Sequence, residues 1–400
     1  MKTFITTAVF ALSILVSKSQ SSKPATFLMD ADRLVAVKKK YQRQDAATVA
    51  LINDLKKEAD KFLDMKPVSV MDKTINPPSG NKHDYMSQAP YFWYDSSKPN
   101  GLPYIRRDGQ RNPEIYKITD RTYLGNLDNA TRTLGLAWYF TGDEKYAAKA
   151  STLLRTWFLN NETKMNPHLE YGQGIPGINT GRGIGIIETV SLTGIVDAEG
   201  LLQGSRSWKA EDHKGVQDWY AKYLDWLLNS KYGKDEAAAK NNHGTWYNVQ
   251  VVDFALFTGD KQKAKQLAEE SKKRIDSQIG SNGKMQLELD RTNGLGYSSM
   301  NLRGWFDMAT LADELGVNLW TYTNKDNAGI RTALDWLIPY AVGEKPWIFD
   351  QITPYNKNQI YSTLLRAASE YKDPKYSDYA KKIDADVNEV MTDLLYKTQE

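Results

Sequence analysis

The chain has 400 residues, 52 Lys and Arg against 49 Asp and Glu for a formal charge of +3, and no cysteine. This excludes a disulfide framework, a zinc ribbon and a cysteine nucleophile, and so balanced a charge argues against general nucleic-acid binding. A hydrophobic fraction of 41% can fill a core, and 11 Trp, 23 Tyr and 11 Phe leave many rings in need of a polar partner or an exposed task.

The N-terminus reads as a leader. Lys2 precedes an apolar run from Phe4 to Val16, then small and polar residues through Ser22. That is the layout of a secretory signal peptide. The run is shorter than the roughly 20 residues a membrane-spanning helix needs. Residues 1–20 are therefore expected to be removed. The mature chain, 21–400, is expected to be one exported domain, periplasmic or secreted, without membrane insertion and monomeric.

Helices dominate the remainder of the chain. Asp30 suits the cap of a helix towards Lys40. A second helix is expected over about Asp45 to Met65, with Val49, Ile52, Leu55, Ala59, Phe62 and Leu63 on one face. Residues 66–118 break this pattern with prolines, glycines and clustered aromatics, and a loop of that length is usually functional when it is ordered. A weak repeat then appears. Trp138-Tyr139-Phe140-Thr141-Gly142-Asp143 is echoed by Ala255-Leu256-Phe257-Thr258-Gly259-Asp260, and more faintly by Ala367 to Asp373. Glycine ends one helix and Asp caps the next, which makes an α/α hairpin. Several such hairpins predict an all-α toroid or solenoid. Met285, Leu287 and Leu289 alternate as the one plausible strand.

Four clusters could carry chemistry. In the long loop, Tyr91 and Trp93 stand near Arg106 and Arg107. Rings stack on sugar faces and guanidinium groups hold carboxylates, although the same rings could merely pin the loop to the core. The glycine-rich run from Gly172 to Glu188 has no GxxxxGK[ST] signature, so a nucleotide loop is rejected. Asn179 and Arg182 remain groove candidates there. Asn241-Asn242-His243-Gly244-Thr245-Trp246 places two amide donors before a histidine, though either Asn could simply cap a helix. In Asp290 to Tyr297, Arg291 could pair with a carboxylate, and Tyr297 follows two glycines. No HExxH or GxSxG is present, so neither metal nor cofactor is expected.

These motifs resemble the alginate lyase superfamily of α/α-toroid polysaccharide lyases. The resemblance runs from about Asp84 to Tyr297 and rests on Asp84-Tyr85-Met86, Ala89-Pro90-Tyr91, Gly101 to Gly109, Asn112-Pro113-Glu114, the Asn242-His243 pair and the Arg291…Tyr297 pair. The loops are closer to a larger branch than to the short periplasmic alginate lyases. The resemblance implies a toroid of about six to seven hairpins and β-elimination on alginate. It implies Tyr297 and His243 as catalytic groups, with Asn242 and Arg291 neutralising the sugar carboxylate. A free phenol titrates near 10, so Arg291 is expected to lower the Tyr297 pKa. Arg106, Arg107, Arg182 and Arg303 would wall a basic groove for the polyanion. Tyr91 and Trp93 would serve as platforms, with Trp246, Asn179 and Asn241 as further substrate contacts. Three other readings remain: a lyase for another polyuronate such as glucuronan, an α/α-toroid glycoside hydrolase with two essential carboxylates, and a non-catalytic carbohydrate binder.

Overall fold

The computed structural model describes residues 23–383 and 390–397. The leader expected over 1–20 lies outside these residues. Five helices pack in succession: Asp120–Thr141 on Ser191–Leu202, then Asn242–Phe257, Gly294–Asp313 and Asn358–Tyr371. The helix Val390–Tyr396 packs on the last of these and on Ala46–Asp60, which returns to Asp120–Thr141. The ring is thereby closed into an α/α toroid. Outer helices Glu144–Leu154, Lys261–Glu270, Ile330–Ala341 and Pro374–Ile383 each lie on an inner partner. Inner and outer helices differ in the way burial demands. Asn242–Phe257 buries all but His243 and Asn248, whereas Lys261–Glu270 buries only Ala264 and Ala268.

The repeated Gly-Asp junctions make the hairpins. Gly142 adopts φ 72° and donates to the Trp138 carbonyl at 2.7 Å, and the Asp143 carboxylate then accepts from the Lys145 amide. Gly259 adopts φ 86° before Asp260 caps with the Lys263 amide. In the third junction Lys372 takes the left-handed conformation itself, at φ 50°. The two N-terminal helices run over Ala31–Gln42 and Ala46–Asp60, capped by Asp30 and Asp45. Phe62 and Leu63 lie beyond the second helix and pack against the core from a turn.

One expectation is corrected. Met285, Leu287 and Leu289 form no strand; Gln286–Leu289 is a single helical turn. Met285 and Leu289 are four apart, so both face inward, while Leu287 is exposed. Strand pairing occurs instead in and beside the long loop. Met86–Gln88 pairs in parallel with Tyr171–Gly174, and Phe92–Trp93 pairs antiparallel with Ile105–Arg106. No helix among the described residues is long and apolar enough to cross a membrane.

The ring and the loop are tied by buried polar groups. The Asp197 carboxylate accepts from the Phe27 and Met29 amides, both at 2.6 Å, and holds the N-terminal segment against the barrel. Arg33 donates to the Lys397 carbonyl at 2.6 Å and joins the first helix to the end of the last one. Lys73, at the loop's start, pairs with Asp120 at 2.9 Å with both side chains fully buried. Burial pushes Asp120 up to about 6 despite that partner. Breaking such a pair leaves an uncompensated buried charge and costs about 3–5 kcal/mol. Lys73→Met is therefore expected to lower unfolding free energy by about 3 kcal/mol or more in urea; an unchanged midpoint and slope would contradict the assignment.

Candidate active site

The inner helices and the long loop enclose a cavity of about 480 Å³. Its wall includes nine of the residues singled out in the sequence as a candidate site: Tyr91, Arg106, Arg182, Asn241, Asn242, His243, Trp246, Arg291 and Arg303, together with Tyr297 at its edge. A second cavity of about 400 Å³ begins on the far side of Tyr297, and the two share Tyr91, Arg111, Tyr297, Met300 and Arg303.

Tyr297 lies in the first turn of Gly294–Asp313. Its hydroxyl is 2.8 Å from the Tyr91 hydroxyl and accepts from Arg291 Nη2 at 2.9 Å. The Arg291 guanidinium also sits 4.0 Å from the Tyr297 ring centroid. Asp108, from the long loop, accepts from Arg291 Nε and Nη2 in a bidentate pair at 3.0 and 2.9 Å, so Nη2 serves both Asp108 and Tyr297. Burial works against the Asp108 carboxylate, but the hydrogen bonds and charges of Arg291 and Arg106 outweigh it and hold its pKa well below the usual range. The expected lowering of the Tyr297 pKa is overturned. Burial is the largest influence, and the neighbouring Tyr91 adds to it; together they raise the phenol well above its ordinary value. Arg291 does pull it down, but a guanidinium already paired with a carboxylate pulls less than a bare one. Tyr297 rests as a phenol.

His243 stands in the first turn of Asn242–Phe257, where the helix begins facing the cavity. Gly244 lets the turn close, because a Cβ there would run into the Ala239 carbonyl and the Arg274 guanidinium. The His243 Nδ1 lies 2.8 Å from buried Glu236, which leaves Nε2 on the opposite edge of the ring. Neither asparagine side chain caps the helix. Asn242 is buried and grips Glu288 twice, through its backbone amide and Nδ2, both at 2.6 Å. Burial pushes Glu288 up to about 7, against the opposing hydrogen bonds from Asn242.

The arginines differ in how they are held. Arg182 donates to Gln173 Oε1 at 2.7 Å and lies over Phe92, 5.2 Å to the ring centroid. Burial lowers its pKa to about 10. Gln173 is buried with φ 50°, a left-handed conformation that costs a side-chain-bearing residue about 1 kcal/mol or more and concentrates at functional sites. Arg303 lies over Trp246 at 5.1 Å.

Three sequence candidates do not reach the cavity. Trp93 and Arg107 face away, stacked on each other at 5.3 Å, with Trp93 Nε1 bonded to the Gln110 carbonyl. Neighbouring strand residues point to opposite faces, so in this hairpin Phe92 and its register partner Arg106 face inward instead. Asn179 is exposed and its carboxamide oxygen accepts from the Ile175 amide, closing a turn. Four aromatic or polar lining residues were not among the candidates: Phe92, Arg111, Arg121 and Gln173. Arg111 adjoins the Asn112-Pro113-Glu114 motif and could have been found there. Arg121, 3.7 Å from buried Glu188, carries no sequence signal.

Comparison with known proteins identifies the family and the fold. Residues 69–347 match the family model described as alginate lyase. An alginate lyase from Bacteroides ovatus superposes with a TM-score of 0.87 at 42% identity, covering 94% of this chain and 100% of that one. A His-to-Ala variant of alginate lyase A1-III, complexed with a tetrasaccharide, shares the fold at a TM-score of 0.60 and 14% identity, over 96% and 98% of the two chains. Alginate lyase A1-III from Sphingomonas species A1 does so at 0.51 and 12%, over 86% and 94%. No curated protein sequence matches the chain.

The Glu288 shift has a stability consequence. An acid whose folded pKa is raised binds its proton more tightly when folded, so stability falls as pH rises from its ordinary value towards about 7. Glu288→Gln removes that titration. The variant is expected to lose less stability than wild type across this window in calorimetry; an identical pH slope in both would contradict it.

Proposed function

The chain belongs to the alginate lyase family, and from that premise we propose how its residues break alginate. The reaction takes the C5 proton of one uronate, turns that C–H electron pair into a C4=C5 double bond and expels O4, which leaves with a proton. The C5 proton is poorly acidic because the adjacent carboxylate is already negative. Donors aimed at that carboxylate stabilise the developing dianion. Asn242 is assigned that task. Glu288 sets its position from behind, and Glu236 sets that of His243.

Tyr297 is assigned the proton delivered to O4. The observation that carries this reading is its hydroxyl, clamped between Arg291 and Tyr91 where the two cavities meet. Burial keeps it a phenol, so it holds a proton to give. Arg291 serves this tyrosine more than the sugar, because Asp108 already occupies much of its hydrogen-bonding edge. With Nδ1–H donated to Glu236, His243 Nε2 is left as an acceptor for the C5 proton. In guluronate the proton and O4 lie on opposite ring faces, which suits His243 as base and Tyr297 as acid. In mannuronate they share a face; there Tyr297 first gives its phenolic proton to solvent water, then takes the C5 proton as base and returns it to O4 as acid.

Arg106, Arg121, Arg182 and Arg303 supply the local charge for a polyanion that the near-neutral chain does not supply globally. A hydrolase reading is disfavoured by the linings of both cavities, which contain no Asp or Glu among the described residues. Export of the mature chain, as a monomer with residues 66–118 covering the groove, belongs to the same proposal and is supported by the leader-like sequence and the position of that loop.

Tyr297→Phe is expected to lower kcat about 10²- to 10⁴-fold on both mannuronate and guluronate blocks, followed by ultraviolet absorbance of the unsaturated ends. His243→Ala is expected to impair guluronate blocks more than mannuronate blocks. Normal turnover of mannuronate blocks by Tyr297→Phe would sink the assignment.

A further inference from the structure

The two cavities that meet at Tyr297 differ in chemistry. The part belonging only to the larger one carries Arg106, Arg121, Arg182, Arg291 and His243. The part belonging only to the smaller one has no Asp, Glu, Lys, Arg or His among the described residues, and is lined instead by Asn293, Gln351, Asn356, Gln359 and the Thr353 hydroxyl. Gln359 Oε1 is buried there with no hydrogen-bond partner among the described residues. Gly296 keeps the space before it open: a Cβ at that position would lie 3.7 Å from Gln359 Oε1 and 4.0 Å from Gln351 Nε2.

A buried acceptor without a donor costs about 1–3 kcal/mol. The oxygen has essentially no accessible surface, so a sugar hydroxyl would satisfy it once the Gln359 carboxamide turns into the cavity. A carboxylate would not, since it brings only further acceptor oxygens.

The elimination chemistry orients the polymer between these halves. The C5 proton, the carboxylate to be neutralised and the breaking C4–O4 bond all belong to one sugar. The preceding sugar contributes only its C1 to the link, and it leaves with O4 as a new reducing end. Asn242 and His243 line the cation-rich cavity and not the other. Resting on their proposed role, the sugar that loses its proton lies on the cationic side. The preceding sugar lies across Tyr297, on the amide side.

We propose that the amide-lined cavity is the subsite for the preceding sugar, and that it reads hydroxyl groups and not the carboxylate. The enzyme would then demand a uronate on one side of the scissile bond only. Its substrate class widens accordingly, to mixed polymers in which a neutral hexose precedes a uronate. Arg111 and Arg303 stand at the boundary of the two cavities, and they are the groups that would read a carboxylate on this side if the proposal were wrong.

The test uses alginate in which a random fraction of the carboxyl groups has been reduced to primary alcohols. The full-length wild-type enzyme digests it, and the products are sequenced by mass spectrometry after labelling the reducing ends. Neutral hexose is expected at new reducing ends within about twofold of its abundance in the polymer, every new non-reducing end being an unsaturated uronate. Depletion of neutral hexose at new reducing ends by tenfold or more would overturn the proposal. Gln359→Leu gives an independent arm. It is expected to raise KM about fivefold, the effect of losing one hydrogen bond of about 1 kcal/mol, and equally for bonds preceded by neutral and by charged sugars. A KM effect confined to charged sugars would overturn it. Failure to cleave unmodified alginate would overturn the lyase reading and the subsite with it, whereas efficient cleavage with uronate alone at the new reducing ends would overturn the subsite only.

Discussion

The bidentate contact between Asp108 and Arg291 is the interaction on which the site depends. It spans 183 residues of sequence and joins the long loop to the start of an inner helix. Through Arg291 it fixes the Tyr297 hydroxyl, and the same loop brings Tyr91 to that hydroxyl from the other side. A buried phenol held from two directions cannot relax by rotating away. The toroid supplies Tyr297 and His243 on the first turns of separate helices; the loop turns them into one site.

A common arrangement stands behind the donors. Glu236 backs His243, Glu288 backs Asn242, and Glu188 lies near Arg121 while accepting from Tyr85 and Ser87. Each acid is buried and faces away from the cavity. A polyanion therefore meets cations and amides while the carboxylates that orient them stay out of reach. This explains how a chain with almost no net charge can present a surface suited to uronates. It also explains why the resting tyrosine keeps its proton: half-buried in the wall, with Asp108 already neutralising Arg291, the phenol is costly to ionise.

Much of this was legible in the sequence because the signals are local. The Thr-Gly-Asp junctions at 141–143 and 258–260 mark hairpins through two nearby caps, and the Asn-His pair announced a helix start with chemistry on it. The rest depended on distance or on short elements. Two-residue strands are too brief to show alternation, so Trp93 and Arg107 were read as inward when Phe92 and Arg106 are. Three alternating apolar residues at 285–289 fit one helical turn as well as a strand. The Tyr297 pKa was misjudged because Tyr91, 206 residues away, and burial decide it. Arg121, Glu236 and Glu288 act only through tertiary neighbours and leave no pattern in the chain.

The loop-to-helix contact can be tested by one substitution. Asp108→Asn keeps the shape of the side chain and removes the charge that anchors Arg291. The most direct measurement is kcat on alginate for this variant, with circular dichroism and the urea midpoint recorded on the same sample. A loss of kcat of about tenfold or more is expected, in line with one misplaced catalytic group, from a protein whose helices remain intact. Wild-type kcat in an equally folded variant would contradict it.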